Sequence, residues 1–409
     1  MMRIAAPFLN AGPLQRLLAV LNADGEEARI VGGAVRNALL SLPPGDIDLA
    51  STEIPESIMR RVEQAGMRPI PTGIDHGTVT VRVDDQSFEV TTLREDVATD
   101  GRHATVRFGR DFVQDALRRD FTINALSCNA DGDVFDYTGG IADLQARRVR
   151  FIGDALTRIR EDYLRILRFF RFHATYGEGP LDREGFDAAI AGRNGLAQLS
   201  KERIRVEILK TLATDRCVPV LEACNDAGFL NQIFAGIAQP SRVARLIGRV
   251  EADPLLRLGA LAVQLGEDAE RLRDALRLSN AETQRLVRAA NVLSELHGAE
   301  QPPSQRALRK LHFIHGRQAA LDGFDLAFAE SAGPADDWPQ ARDYLAHLPY
   351  RALPFGGADV MALGPTGRAI GATLQRVEAL WIEADFPGDP SVLRALLLQA
   401  ATAESAESA

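Results

Sequence analysis

The spacing of apolar and polar residues changes character along the chain. Residues 1–27 contain an Arg but no sustained apolar core and no small-residue cleavage site, so they read as a short amphipathic N-terminal helix rather than a signal peptide. Between 28 and 150, short β-like runs alternate with turns and helices. ARIVGG is a strand ending in glycines, AVRNALLSL is helical, and DIDLAS, GTVTVRV and SFEVTTL are strands rich in Val, Thr and Phe. From about residue 155 the apolar spacing becomes three and four, first in ALTRIREDYLRILRFFRFHATY and then in KERIRVEILKTLA. Helices punctuated by Gly, Pro and Asp continue over 216–400, and ATAESAESA at 401–409 reads as a disordered tail. The pattern predicts an α+β protein: a head with a mixed β-sheet and helices over 28–150, then an all-α neck over 151–215, and a helical body and tail over 216–400.

Composition narrows the class. Of 409 residues, 46% are hydrophobic and 25% charged, a soluble globular balance whose length favours two or three domains. No uncharged apolar run is long enough to cross a bilayer. Cys128, Cys217 and Cys224 are scattered and odd in number, which gives neither a disulfide framework nor a zinc pattern and suggests a reducing cytoplasm. The net charge of −9 argues against a general nucleic-acid binder. Residues 147–171 run the other way, with eight Arg and three acids. They form either a solvated helix face or an electrostatic channel for phosphates.

The candidate chemistry begins at PPGDIDLAST. Asp46 and Asp48 are expected on one face of a strand whose Ile47 and Leu49 point to a core. Two such carboxylates repel unless a cation lies between them. In SFEVTTL, Phe88 and Val90 facing a core would turn Glu89 outward, completing a carboxylate set for Mg²⁺ in phosphoryl transfer, with two ions activating the attacking hydroxyl and stabilising the leaving oxygen. A lone D-x-D is more often an exposed strand edge, but its neighbours change the balance. Gly32 and Gly33 end a strand at a helix start, where phosphates can approach backbone, and Arg36 follows in the first turns. In RRDFTINAL, Arg118 and Arg119 suit a polyphosphate and Asp120 suits a ribose hydroxyl.

Taken in order, GGAVRNALL, DIDLAST, EVTTLRED, TDGRHATVRF, RRDFTINAL, FDYTGGIADL and EDYLRILRFFRF resemble a bacterial class II tRNA nucleotidyltransferase, the CCA-adding type, in the superfamily that includes bacterial poly(A) polymerases. The resemblance spans most of 28–385. It implies a nucleotidyltransferase head with Asp46, Asp48 and Glu89 as catalytic residues, and Asp46 and Asp48 as ligands of two Mg²⁺ ions. It also implies nucleotide binding by Gly32, Gly33, Arg36, Arg118, Arg119, Asp120 and Asn124, base selection by Asp162, Arg165 and Arg168, and a flexible loop containing Arg94, Asp100 and Arg102. Partners would be tRNA, CTP and ATP. One departure stands out: the family usually has Asp where this chain has Asn37, which puts a charged role there in doubt.

Asp162 and Arg165 fall at i and i+3, on one face of an expected helix. An intrahelical ion pair would account for them, but their chemistry also fits base reading. Arg donates to N3 of cytosine or N1 of adenine, and a carboxylate accepts from the N4 or N6 amino group. Uracil and guanine set donor against donor and oxygen against oxygen, so a buried polar site rejects them. Alternatives remain at this point: a poly(A) polymerase, an enzyme adding only part of CCA, a metal phosphohydrolase, or a non-catalytic RNA-binding protein. RPIPTGIDHGTVTV in place of a basic segment after D-x-D disfavours the polymerase, and REDVATDGRHATVRFG favours full C, C and A addition. None of the seven histidines is followed by Asp, and the intact carboxylate set speaks against a silent RNA binder.

Overall fold

The computed structural model describes residues 2–100, 103–249 and 253–407. The chain divides into two compact units, Met1–Phe229 and Leu230–Ala409. The first contains both the expected head and the expected neck.

Among its described residues the first unit has nine strands: β1 (Ala28–Val31), β2 (Asp48–Ser51), β3 (Arg68–Gly73), β4 (Thr78–Val83), β5 (Gln86–Thr92), β6 (Arg94–Asp100), β7 (His103–Phe108), β8 (Ser127–Cys128) and β9 (Val134–Phe135). Seven form one sheet in the order β3-β4-β5-β2-β1-β8-β9, and β6 with β7 makes a separate antiparallel ribbon. β2 and β5 run parallel while the other pairs of the large sheet are antiparallel, so the sheet is mixed as expected. β3 contains Pro69 and Pro71 and lies at the sheet edge, where a missing N–H interrupts no inner ladder. In β5, Phe88 and Val90 are buried and Glu89 between them is exposed.

Two expectations are corrected. β2 begins at Asp48, so Asp46 sits in the bend that enters the strand instead of on it. Pro43 and Pro44 have no N–H to pair, and Gly45 turns the chain with φ +68°. The segment read as a flexible loop is largely the β6–β7 ribbon, in keeping with the β-branched residues it contains.

The helices of this unit are α1 (Gly12–Leu21), α2 (Gly33–Leu39), α3 (Pro55–Gln64), α4 (Phe112–Leu117), α5 (Gly140–Gln145), α6 (Ala155–Glu161), α7 (Leu164–Tyr176), α8 (Arg183–Gly192), α9 (Lys201–Leu212) and α10 (Cys217–Asp226). α1 buries Leu14, Leu17, Leu18 and Leu21, the i, i+3, i+4, i+7 stripe of an amphipathic helix. An aromatic cluster joins head to neck: Phe121 lies 4.8 Å from Phe151 and 5.3 Å from Phe172, and Phe151 lies 5.4 Å from Phe169, centroid to centroid. Such packing removes large apolar areas from water and makes the two segments one body.

The helix expected to run through residue 162 is broken there. Asp162 is extended, with φ −155° and ψ 107°, and α7 restarts at Leu164. Asp162 Oδ1 accepts a 3.0 Å hydrogen bond from Leu164 N, satisfying a donor at the new helix start.

In the second unit, the helix Arg317–Glu330 is buried along most of its length and packs against Asn280–Leu296, with Arg285 Nε donating to Asp322 at 2.7 Å. The last helix, Pro390–Glu407, carries through most of the segment expected to be disordered, as its alanines favour. Among the described residues no helix is long and apolar enough to cross a membrane.

Candidate active site

A cleft of about 790 Å³ opens in the first unit between the sheet, α2, α4 and the start of α7. It brings together Gly32, Gly33, Arg36, Asp46, Asp48, Glu89, Arg94, Arg118, Arg119, Asp120, Asn124, Asp162, Arg165 and Arg168. Arg102 and the side chain of Asp100 lie outside the described residues.

The carboxylates stand on the open end of the sheet. Asp48 and Glu89 are direct register partners across the parallel β2–β5 pair, and Asp46 precedes Asp48 by two residues. Partial desolvation in the cleft, followed by the Glu89 and Asp46 charges, pushes the Asp48 carboxyl above the usual aspartate range, and Arg119 offsets this in part. Among the described residues no three His, Cys, Asp or Glu side chains are gathered into a metal cage. The donor set fits a hard, hydrated cation, which needs one or two protein carboxylates and completes its shell with water and phosphate oxygens. The same cation would relieve the repulsion that raises Asp48.

The arginines opposite are held by acids that the motif reading missed. Arg118 Nε donates to Asp115 Oδ1 at 2.9 Å, and Arg119 donates to Asp115 Oδ2 through Nη2 at 3.0 Å. Asp115 is 4% exposed, yet the two guanidinium groups outweigh burial and hold its carboxyl below the usual range. The i, i+3, i+4 spacing of Asp115 with Arg118 and Arg119 was a signal for this anchor.

Asp120 is placed differently from a free ribose acceptor. Its Oδ1 accepts from Phe121 N at 2.8 Å and Asn124 Nδ2 at 3.1 Å, and its Oδ2 accepts from Arg168 Nε at 2.7 Å. Both oxygens are engaged, and the pair with Arg168 lies in the cleft lining. The Arg-rich stretch is likewise no simple solvated face. Arg165, Arg168 and Arg171 line the cleft, while Arg148 and Arg150 pair with the buried Asp143. Arg171 is fixed by the buried Glu207 of α9, and Arg94, which opens β6, donates to the His76 carbonyl.

Asp162 and Arg165 share the cleft but make no ion pair with each other. Asp162 Oδ2 accepts from Arg203 Nη2 at 2.7 Å, and Arg165 Nη1 donates to Glu161 and to the Arg158 carbonyl. The intrahelical pair is absent because the chain is extended at Asp162. Arg165 still has Nε and Nη2 to donate, and the Asp162 oxygens have lone pairs to accept. Arg171, Arg203 and Tyr176 were not singled out by motif reading; they come from helix faces whose partners are distant in sequence.

Fold and cleft define the catalytic head of a nucleotidyltransferase, and residues 28–150 match the family described as the Poly A polymerase head domain. A zebrafish (Danio rerio) protein, CCA tRNA nucleotidyltransferase 1, mitochondrial, is 33% identical, covering 94% of this chain and 90% of its own length. The mouse (Mus musculus) protein of the same name is 40% identical over 276 residues, 66% of this chain and 63% of its own, so this chain matches less than two thirds of it. Among solved structures, a Bacillus stearothermophilus CCA-adding enzyme in complex with CTP superposes with a TM-score of 0.75 at 24% identity, covering 98% of this chain and 100% of that one. The chain belongs to the CCA tRNA nucleotidyltransferase family.

Proposed function

We propose that this chain adds C, C and A to the 3′ end of tRNA from CTP and ATP without a nucleic-acid template. The observation that carries the reading is one cleft in which Asp46, Asp48 and Glu89 face an arginine wall that also holds Asp162 and Arg165. Asp46 and Asp48 would hold Mg²⁺, with Glu89 beside them. Two such ions supply an activated 3′ hydroxyl and charge stabilisation on the leaving oxygen. The chain's own groups do the rest. Arg118 and Arg119, locked on Asp115, present fixed donors to the triphosphate. Asp120 and Asn124 orient Arg168 and Arg36 around it. Arg165 donates to the acceptor shared by C and A, and Asp162 accepts from their amino groups. The names of the full-length relatives support tRNA as substrate over a poly(A) tail. All three cysteines are free and buried, consistent with a reducing compartment, which we take to be the cytoplasm.

The test is incorporation of labelled CTP, then ATP, into tRNA lacking its terminal CCA. Ordered addition of two C and one A is expected. Homopolymer A tails would favour the polymerase, and no incorporation at all would favour a silent RNA binder.

A further inference from the structure

Six arginines of the cleft are each matched by a carboxylate. Arg118 and Arg119 share Asp115, and Arg165, Arg168, Arg171 and Arg203 pair with Glu161, Asp120, Glu207 and Asp162. Arg36 differs. Its guanidinium is buried, and among the described residues its hydrogen-bond partners are neutral. Nε and Nη2 donate to Asn37 Oδ1 at 3.2 and 3.0 Å, Nη1 donates to Asn124 Oδ1, and Nη2 also donates to Tyr176 Oη at 2.7 Å. The Tyr176 ring lies 4.1 Å from its Cζ. Of the charged groups that act on it, Asp120 is already matched by Arg168, and Arg171 is like-charged.

A buried cation among neutral acceptors keeps its attraction for an anion that enters later. Asn37 decides this, because it touches the guanidinium twice and its own orientation is fixed. Nδ2 donates to the Pro43 carbonyl at 2.8 Å, which turns Oδ1 toward Arg36. A carboxylate at this position would close an ion pair with Arg36 and set an oxygen against the Pro43 carbonyl.

We infer that Asn37, by being an amide, leaves the Arg36 charge uncompensated for the triphosphate of the incoming nucleotide. Position 37 is thereby a determinant of nucleotide affinity that acts through Arg36. The inference rests on reading the cleft as a nucleotide site.

The experiment measures binding of CTP, inorganic tripolyphosphate and cytidine to the full chain by calorimetry in EDTA, for wild type, N37D and N37A. N37D should bind CTP and tripolyphosphate about tenfold more weakly, with cytidine unchanged. N37A, neutral but without the amide, should keep most of the affinity. Equal binding by N37D and wild type would overturn the inference. So would an equal loss in N37A, which would mark the bond to Pro43 as the whole role. Should N37D fail to fold, N37A carries the test alone, since a tenfold loss there is enough to sink the idea. Wild type that binds neither CTP nor tripolyphosphate would instead overturn the nucleotide reading of the cleft itself.

Discussion

Asp48 stands where its own charge is unfavourable. Partial burial, Glu89 and Asp46 all favour its protonated form, so its folded pKa lies above its unfolded one. The stabilising proton is bound below the ordinary aspartate range, and that stability is lost as pH rises through the raised folded value. Metal-free protein should therefore be less stable at neutral pH than an uncharged variant. D48N is expected to melt about 1–3 °C higher in EDTA and to lose nucleotide addition about a hundred- to a thousandfold. A melt unchanged in EDTA would mean that the carboxylates do not strain one another. Asp115 has the opposite sign. Its folded pKa is depressed by Arg119 and Arg118, so its contribution is present above the unfolded pKa and disappears as pH falls. D115A should lose about 1.5–3 kcal/mol of stability at neutral pH and raise KM for CTP and ATP together. Denaturant unfolding beside steady-state kinetics would show whether both effects occur.

Among elements, the break between α6 and α7 gives Asp162 two tasks: it accepts from Leu164 N at the helix start, and it faces the cleft. Substitutions can separate them. D162A should cost about 1 kcal/mol of stability through the lost hydrogen bond to Leu164 N, whereas D162N keeps an oxygen for Leu164 N and should melt near wild type. Under the proposed base reading, both should narrow the preference for CTP over UTP, seen in kcat/KM for all four nucleotides. Unchanged ratios with a lower melt in D162A alone would leave Asp162 a purely structural residue. Strand alternation made β4 and β5 legible, because each sets buried residues against more exposed ones, while β1, buried throughout, was legible as a short apolar run ending in glycines. The break was not legible, since apolar residues at helical spacing continue on both sides of it. β3 was hidden too, because its prolines lower strand propensity everywhere except at an edge. The β6–β7 ribbon carries its own expectation. If, as proposed, the chain adds A after two C and this segment serves the step to A, deleting 95–107 should reduce ATP addition more than CTP addition, and equal losses in assays with CTP alone and with both nucleotides would refute that role.

At the scale of the whole molecule, the α+β head and helical remainder were readable because the apolar period changes near residue 155. The candidate cleft was readable where its lining residues sit in short motifs, as with Asp46, Asp48, Arg118 and Arg119. Glu207 and Tyr176 were not, since they reach Arg171 and Arg36 from far along the chain. CTP should slow amide exchange around 29–33, 48–51 and 161–168 and leave 230–409 unchanged. Protection spread evenly over both units, read by mass spectrometry, would place the nucleotide elsewhere. The charge distribution has a kinetic meaning as well. The chain carries −9 overall, yet the described residues lining the cleft include eight Arg and six carboxylates. A polyanion approaching the protein as a whole meets a net charge of its own sign, whereas the cleft lining carries a small excess of the opposite sign. Such a contrast favours encounter of a polyanionic ligand at the cleft over the rest of the surface, and the preference should weaken as salt is added.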